Sequence, residues 1–331
     1  MASEFRSKVS GIGSYLPEKV LTNFDLEKLV ETNNQWIVER TGIERRHMAS
    51  PEEATSDLAY KATLKALDMA NLKAEDLDMI IVATVSPDQI MPSTACVLQS
   101  KLGCRNIFSF DLSAACSGFV YALSVADQFI RTGVYKNVLV VGAEVLHRFV
   151  NYKDRETCIL FGDGAGAWIL SRTSNQDENI IFSSHLHADG NLGDLFVLPA
   201  GGSKIPFSEA VLKAESQYVK MKGREIFKNA VRTLTDCCHE ALAANNVNPN
   251  QVDWLVPHQA NLRILESVAD HFEFPKEKVI VSLNETGNTS AASIPLAFDL
   301  AYQEGKIKRG QLILLAAFGA GLTSGSILLR F

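Results

Sequence analysis

The sequence predicts an α/β protein with buried sheets, assembled from two copies of one α/β unit related by a pseudo-dyad. Short runs rich in β-branched residues alternate with longer segments of helical periodicity. The runs are almost continuously apolar, which is typical of strands covered on both faces. The second half of the chain also repeats the pattern of the first half.

The predicted elements alternate along the chain in the order that α/β units require. The predicted strands are 79–84, 107–111, 138–142, 279–283 and 312–317. The predicted helices between and after them are 56–71, 117–132, 225–246, 259–272 and 291–304.

Two correspondences define the internal repeat. Residues 66–81 match residues 241–256 without a gap, at an offset of 241 − 66 = 175. Further along, Cys116 corresponds to Asn288, at an offset of 288 − 116 = 172. A chance match between alternating patterns is the alternative, because single-sequence assignments are loose.

The repeat predicts two domains, an N-terminal half over residues 6–176 and a C-terminal half over residues 177–331. Two such halves around a pseudo-dyad bring equivalent loops to one central site. We therefore expect Cys116 to lie near Asn288 and near the loop that follows strand 252–256.

Composition excludes several classes of function. The chain has 331 residues, of which 47% are apolar and 21% charged, as in ordinary soluble proteins. Its net charge of −6 disfavours a general nucleic-acid binder. No apolar run approaches the roughly 20 residues of a membrane span, and no signal peptide is evident. The six cysteines lack zinc-site spacing and indicate a reduced, cytoplasmic protein without a metal.

Cys116 is the strongest candidate for chemistry. An apolar strand leads through small residues into this thiol, and a helical pattern follows. Such a turn places the sulfur at a helix N-terminus, where free N–H groups and the helix dipole favour the thiolate. An isolated cysteine is more often a small buried filler, so the interpretation depends on its companions.

Two polar residues are those companions. His258 directly follows an apolar strand, and Gln259 and Asn261 beside it are also polar. Asn288 lies in a Gly-Asn-Thr-Ser segment. Alone, the histidine could be structural and the asparagine a helix N-cap. Together with Cys116 they supply a nucleophile and two neutral hydrogen-bond donors.

The glycine-rich segments 161–166 and 318–325 do not match phosphate loops. Neither ends in the Lys-Ser/Thr of a P-loop, and neither follows the first strand as a dinucleotide fingerprint does. Apolar strand patterns follow both, so the glycines indicate tight turns and close backbone contacts. A backbone N–H of the second segment is available to an oxyanion.

The chain resembles the β-ketoacyl-acyl-carrier-protein synthase III family of thiolase-fold condensing enzymes, from about residue 7 to the C-terminus. The resemblance implies a thiolase-like fold layered αβαβα. The stretches that carry it, in order, are 11–17, 36–43, 114–119, 161–166, 257–263 and 287–293.

The resemblance implies roles for the three candidate residues. Cys116 resembles the acyl-accepting nucleophile, and His258 and Asn288 resemble the pair that holds the malonyl thioester carbonyl. Loss of CO₂ builds negative charge on that oxygen, and two neutral donors stabilise it. The backbone N–H groups of Cys116 and Ala320 resemble a second oxyanion hole.

The same resemblance implies binding surfaces. Trp36 and Arg155 resemble a pair that sandwiches the adenine of coenzyme A. The full set implied for coenzyme A is Thr32, Trp36, Arg40, Arg155, Gly223, Phe227 and Asn261. The residues implied for docking an acidic acyl carrier protein are Lys228, Gln259 and Arg263. A local basic cluster supports this, although charge runs are usually only solvated.

Two positions depart from the family pattern. Ser324 stands where many relatives have Trp, and Met91 stands where the family places a residue that crosses the dimer and limits the acyl pocket. Methionine is adaptable, so a primer longer than acetyl is possible.

We therefore expect a homodimeric, cytoplasmic acyltransferase that loads an acyl group from acyl-CoA onto Cys116 and condenses it with malonyl-acyl-carrier protein, initiating fatty acid biosynthesis. No bound cofactor, nucleic acid or membrane is implied.

Several alternatives stay open at this point. One is a secondary-metabolism condensing enzyme with another primer or extender. A thiolase would have a second cysteine at Asn288. A cysteine hydrolase shares the order Cys116, His258, Asn288, and 258 − 116 = 142 lies in the papain-like range. The papain signature is absent, however, and the repeated α/β pattern does not fit that class. A silent scaffold is the last alternative.

Overall fold

A computed structural model describes residues 4–331. The strands are β1 Phe5–Tyr15, β2 Lys19–Thr22, β3 Arg45–Met48, β4 Met79–Ala83, β5 Phe108–Leu112, β6 Asn137–Glu144, β7 Gly164–Ser174, β8 Ile181–Ala188, β9 Phe196–Val197, β10 Lys220–Met221, β11 Trp254–Pro257, β12 Leu312–Gly319 and β13 Thr323–Arg330. The helices are α1 Asn23–Leu26, α2 Asn34–Thr41, α3 Thr55–Ala70, α4 Thr94–Leu102, α5 Gly118–Arg131, α6 Arg155–Cys158, α7 Glu209–Lys213, α8 Gly223–Ala244, α9 Leu262–His271, α10 Leu283–Thr286 and α11 Ser293–Gln303.

Two larger sheets organise these elements. The first has five strands in the order β1-β7-β6-β4-β5, and the second has four in the order β11-β12-β13-β8. In the first sheet β4 runs parallel to β5 and β6, while β7 is antiparallel to its neighbours. In the second, β11 is parallel to β12, and β13 is antiparallel to both neighbours. Most residues of the central strands are buried, as their apolar sequences predicted.

Helices α5 and α11 lie between the two sheets and share one core with both. In that core the Trp168 ring of β7 contacts Phe119 of α5 and Phe298 of α11 edge-on, with centroids 5.3 and 4.8 Å apart. Helices α3 and α4 cover the outer face of the first sheet, and α8 and α9 cover the second. The αβαβα layering predicted from the sequence is thus the observed fold.

One predicted strand is wrong. Residues 279–283 form a single bridge, between Leu255 and Val279, and α10 then begins at Leu283. The physical reason is the side-chain amide of Gln259, which donates to the Ile280 carbonyl at 3.0 Å and accepts from the Ser282 N–H at 2.8 Å. These backbone groups are satisfied by a side chain and need no partner strand.

The internal repeat is more regular than the sequence suggested. The offset of 175 relates two further pairs of positions. One pair is Asn71 and Asn246, which both have a left-handed backbone conformation. The other is the first residues of β6 and β12, for which 312 − 137 = 175. The 3₁₀ turns Ala115–Ser117 and Ser290–Ala292 share that offset. The equivalent of Cys116 is therefore Ala291, and the predicted pairing with Asn288 is wrong. At the same offset α10 takes the place that β5 has in the first half, so aligning residues 279–283 with β5 shifted the predicted pairing by three residues.

Each 3₁₀ turn packs against a central strand of the other sheet. A Cβ on Gly142 of β6 would lie 2.3 Å from the Ala291 carbonyl oxygen. A Cβ on Gly319 of β12 would lie 2.7 Å from the Cys116 nitrogen. These two glycines permit the close contact that brings the turns together.

The division into domains at residues 176 and 177 falls between β7 and β8 and stays a prediction. None of the helices in residues 4–331 is both long and apolar enough to span a lipid bilayer.

Candidate active site

Cys116 sits in the first 3₁₀ turn, directly before α5. Its side chain is buried, with 6% of its surface exposed. Burial raises the pKa of the thiol to about 12, against a smaller lowering by a hydrogen bond from Ser290. Burial thus opposes the thiolate that the helix N-terminus was expected to favour, and that expectation stays a prediction.

His258 follows β11 and continues its pairing, since its N–H donates to the Ala316 carbonyl at 2.8 Å. Its Nδ1 lies 2.7 Å from the Oγ of Ser293, the first residue of α11. Burial lowers the pKa of the imidazole to about 3, so the ring is neutral at physiological pH. A neutral ring with one nitrogen engaged has the other nitrogen available to substrate.

Asn288 is held by its backbone on both sides. Its N–H donates to the Leu160 carbonyl at 2.8 Å, and its carbonyl accepts from the Gly162 N–H at 3.0 Å. Its Oδ1 accepts from the Ser290 N–H at 2.9 Å. The capping role considered from the sequence thus uses the oxygen alone, and the Nδ2 amide is left as a donor.

One cavity of about 560 Å³ collects most of the predicted site residues. Cys116, His258 and Asn288 reach it from three separate segments of the chain, and Ala320 lies beside them. The residues predicted for ligand and partner binding that also line it are Trp36, Arg40, Gly223, Phe227, Asn261 and Arg263. Thr32, Arg155, Lys228, Gln259 and Met91 do not line it.

Comparison of the sequence with known families and proteins agrees with the resemblance described above. The profile of 3-oxoacyl-[acyl-carrier-protein] synthase III matches residues 110–190, and the profile of its C-terminal part matches residues 242–331. A β-ketoacyl-[acyl-carrier-protein] synthase III of Xanthomonas euvesicatoria is 52% identical over 331 residues, all of both chains. The protein of the same name from Caldanaerobacter subterraneus is 49% identical, over all of this chain and 99% of the Caldanaerobacter protein.

The chain belongs to the β-ketoacyl-[acyl-carrier-protein] synthase III family. The crystal structure of the Aquifex aeolicus 3-oxoacyl-[acyl-carrier-protein] synthase III superposes with a TM-score of 0.90 and 48% identity, covering 98% of this chain and 100% of that one. The predicted family, the thiolase fold and an acyl-transferring enzyme are confirmed. The comparisons favour this family over the cysteine-hydrolase alternative.

The predicted coenzyme A site has a specific geometry at the mouth of the cavity. The Arg155 guanidinium lies 4.8 Å from the centroid of the Trp36 ring, and Arg40 lies 5.7 Å from it. Arg155 also donates to the Glu31 carbonyl at 3.2 Å. The Thr32 hydroxyl has no hydrogen-bond partner within residues 4–331. Because Arg155 stacks directly on Trp36, a ring inserted between them requires the arginine to move.

Two predicted residues lie elsewhere. Gln259 is fully buried, and its amide is engaged by the carbonyls of Pro257 and Ile280 and the N–H of Ser282. It cannot touch a carrier protein, so its predicted docking role is wrong. Met91 is 81% exposed on the surface and does not line the cavity that holds Cys116, His258 and Asn288.

A second, apolar cavity has a volume of about 160 Å³, and its lining residues were not predicted. It meets the first at Cys116, Phe161, Phe196 and Ala320. Its remaining lining is almost entirely apolar: Val85, Ala115, Leu146, Phe149, Val150, Val197, Leu198, Val219 and Ser290. The only signal in the sequence was the apolar segment after β6, because the other lining residues are scattered along the chain.

Glu144, the last residue of β6, was also missed. It is fully buried next to the turn of Cys116, and burial raises its pKa to about 7. A lone glutamate at the end of an apolar strand is the signal that could have identified it.

Proposed function

We propose that the protein is a β-ketoacyl-acyl-carrier-protein synthase III that condenses an acyl-CoA primer with malonyl-acyl-carrier protein and so initiates fatty acid biosynthesis. The observation that carries this proposal is the convergence of Cys116, His258 and Asn288 on one cavity. A thiol and two neutral donors suit acyl transfer followed by decarboxylation, and no bound cofactor enters the reaction.

In the loading step the Cys116 sulfur attacks the primer thioester, and coenzyme A leaves as the thiol. The backbone N–H groups of Cys116 and Ala320 stabilise the oxyanion of this step. The Gly319 contact supports that role, since it brings the two backbone segments together.

In the condensation step the carbonyl of malonyl-acyl-carrier protein accepts hydrogen bonds from His258 and Asn288. Nδ1 of His258 lies 2.7 Å from the Ser293 hydroxyl. In the tautomer that we propose, this hydroxyl donates to Nδ1, and Nε2 carries the proton that faces the developing negative charge. Loss of CO₂ then gives an enolate, which attacks the acyl-Cys116 carbonyl. The products are CO₂ and a β-ketoacyl-carrier protein.

The binding assignments follow from the two cavities. The pantetheine arm lies in the larger cavity, with Gly223, Phe227 and Asn261, and the adenine binds at Trp36 and Arg155. The primer's acyl chain occupies the apolar cavity beyond Cys116. That cavity favours primers longer than acetyl.

The proposed partners are an acidic carrier protein and a second copy of the chain. Lys228 and Arg263 are exposed; Arg263 lines the larger cavity, and Lys228 follows the cavity residue Phe227, which suits an acidic partner. Ile90 and Met91 are each 81% exposed, an apolar pair that a second protomer would cover. All six cysteines are free, which supports a reducing cytoplasmic location.

The test is to incubate the protein with acyl-CoAs of increasing chain length and to measure its intact mass. We expect a single acyl adduct that Cys116→Ala abolishes. Cys116→Ala should keep some malonyl decarboxylation, whereas His258→Ala should keep loading and lose decarboxylation.

Two results would contradict the proposal. One is a wild-type protein that forms no adduct with any acyl-CoA. The other is equal loss of loading in both folded variants, which would show that the two residues have no separate roles. A strong preference for an unusual primer would instead favour a secondary-metabolism condensing enzyme.

A further inference from the structure

Arg46 of β3 is a fully buried cation whose hydrogen-bond acceptors within residues 4–331 are all neutral. Burial lowers its pKa to about 10, so the guanidinium stays charged near neutral pH. Its side chain lies among the apolar residues that surround Ile159 and Phe161. Because burying a charge is costly, an apolar residue would suit this position better if packing were its only role.

One branch of the guanidinium holds the segment that supports Asn288. The Nη2 atom of Arg46 donates to the carbonyl of Ile159, which caps the C-terminus of α6, at 2.5 Å. The residues that follow Ile159 pair with Asn288. The Leu160 carbonyl accepts from the Asn288 N–H at 2.8 Å, and the Gly162 N–H donates to the Asn288 carbonyl at 3.0 Å. The arginine is therefore bonded to the residue next to those that fix the Asn288 backbone.

The aliphatic stem of Arg46 lies against the same backbone. A Cβ on Gly162 would lie 3.1 Å from the Arg46 Cβ. A Cβ on Gly287 would lie 3.0 Å from the Arg46 Cβ and 2.9 Å from the Leu160 carbonyl oxygen. Only glycine fits such close contacts, so β3 packs directly on the residues beside Asn288.

The other branch of the guanidinium is held by Asn23. The Asn23 Oδ1 accepts from Nη1 of Arg46 at 2.8 Å. Its Nδ2 donates to the Ile43 carbonyl at 2.8 Å and to the Asn34 side chain at 3.0 Å, so Asn23 is itself fixed. With both branches of the planar fork bonded, Arg46 is a rigid connection between Asn23 and Ile159.

We propose that Arg46 is a positioning residue for Asn288 in the condensation step. The inference rests on the proposed function. By holding Ile159, Arg46 fixes the segment 159–162, and that segment fixes Asn288 where its Nδ2 amide can donate to the malonyl thioester carbonyl. Arg46 does not line the cavity, so it acts only through Asn288. The turn of Cys116 rests on Gly319 of β12 instead, and loading does not depend on this arginine.

Two substitutions separate the geometry of the fork from its charge. Arg46→Lys keeps the cation but lacks the planar fork that bonds Asn23 and Ile159 together. Arg46→Met removes the charge and every donor but keeps a flexible, unbranched side chain. Each is also combined with Asn288→Ala.

Arg309→Met and Arg309→Lys are the matched controls. Arg309 also donates from both branches of its guanidinium, to the carbonyls of Val9 and Ser10, and burial also lowers its pKa. It lies before β12 and does not line the cavity that holds Asn288.

Two rates are measured on each folded variant. One is decarboxylation of malonyl-acyl-carrier protein, and the other is single-turnover loading from an acyl-CoA that the wild type accepts. Folding is checked by circular dichroism and by unfolding in urea.

We expect Arg46→Met to decarboxylate about 10²-fold more slowly, because a displacement of about 1 Å at a reacting group can cost that much. Arg46→Lys should lose less, and loading should change far less in both variants. In the Asn288→Ala background, Arg46→Met should cause little further loss, because the two residues act as one unit. A residue needed only for folding would slow both rates alike. The Arg309 variants should match the wild type in both.

Wild-type decarboxylation in both Arg46 variants would overturn the proposal. So would an equal loss of loading, a similar loss in Arg309→Met, or an Arg46→Met effect that is as large without Asn288 as with it. Failure of both Arg46 variants to fold would also overturn it and assign the arginine to stability alone. The proposed function fails separately, when the wild type does not decarboxylate the malonyl substrate or when Asn288→Ala decarboxylates at the wild-type rate.

Discussion

The Nδ1 atom of His258 and the Oγ atom of Ser293 lie 2.7 Å apart in the buried space between β11 and α11. Ser293 also accepts from the Gln259 N–H at 3.3 Å. A serine hydroxyl that accepts from this N–H keeps its own proton as a donor, which suits the proposed tautomer with the imidazole proton on Nε2. The contact orients the ring.

Ser293→Ala should therefore slow malonyl decarboxylation by about tenfold to a hundredfold, as loss of a group that orients an active-site histidine commonly does. Acyl loading onto Cys116 should change far less, because the proposed role of His258 is to bind the malonyl thioester carbonyl in the condensation step. The two half-reactions are measured separately, with Ser326→Ala as the control. Ser326 is also a buried donor, to the Cys237 carbonyl. A larger effect on loading than on decarboxylation would show that Ser293 has a different role.

Gly319→Ala should distort the turn that holds Cys116, the proposed nucleophile. The added Cβ would lie 2.7 Å from the Cys116 nitrogen and 3.0 Å from the Ser117 nitrogen, so the backbone must shift. We expect the free energy of unfolding, measured in urea, to fall by about 1–3 kcal/mol, together with slower loading. Gly190→Ala is the control, since its Cβ would meet no atom within 4 Å. Equal stability of the two variants would mean that the turn relaxes without cost.

Arg155→Ala should weaken binding of coenzyme A thioesters through loss of stacking at Trp36. We expect KM for acyl-CoA to rise by about 3- to 30-fold, with kcat nearly unchanged. An acyl-pantetheine thioester, which lacks the adenine, should be used equally well by variant and wild type. Lys153→Ala, an exposed neighbouring cation, serves as the control. A rise in KM for both substrates would locate Arg155 at the pantetheine arm instead.

Leu198→Trp should shorten the longest primer that the enzyme accepts. Leu198 lines the apolar cavity and is 39% exposed, so the larger ring can be accommodated without disrupting the core. Single-turnover loading across a series of acyl-CoAs should show selective loss of the longer chains. Leu212→Trp in α7, 61% exposed and outside the cavity, should leave the series unchanged. Uniform loss for every chain length would contradict the assignment of this cavity to the acyl group.

The sequence predicted the features that depend on local pattern. Apolar runs and helical periodicity located α5, α11 and the central strands to within a few residues, because burial dictates those patterns. Local pattern also located the turn of Cys116 and the positions of His258 and Asn288. Each follows a strand or precedes a helix at the point where the two halves meet.

The features that the sequence did not reveal depend on contacts between distant segments. The burial of Gln259 and the absence of the strand predicted at 279–283 have one cause. The side-chain amide of Gln259 binds the backbone groups that a neighbouring strand would otherwise pair with. The apolar cavity draws on residues from 85 to 320 that form no pattern along the chain. The raised pKa of Cys116 likewise reflects how deeply the folded protein buries the thiol, which a single turn cannot show.

The mutual contact of the two 3₁₀ turns also constrains when the protein can become active. The turn of Cys116 rests on β12, and the turn of Ser290 rests on β6. A folding intermediate with only the first sheet formed would carry Cys116 as an ordinary thiol, without its oxyanion site, His258 or Ser290. The proposed thioester chemistry therefore requires both sheets to be docked, so partial folding leaves the site incomplete.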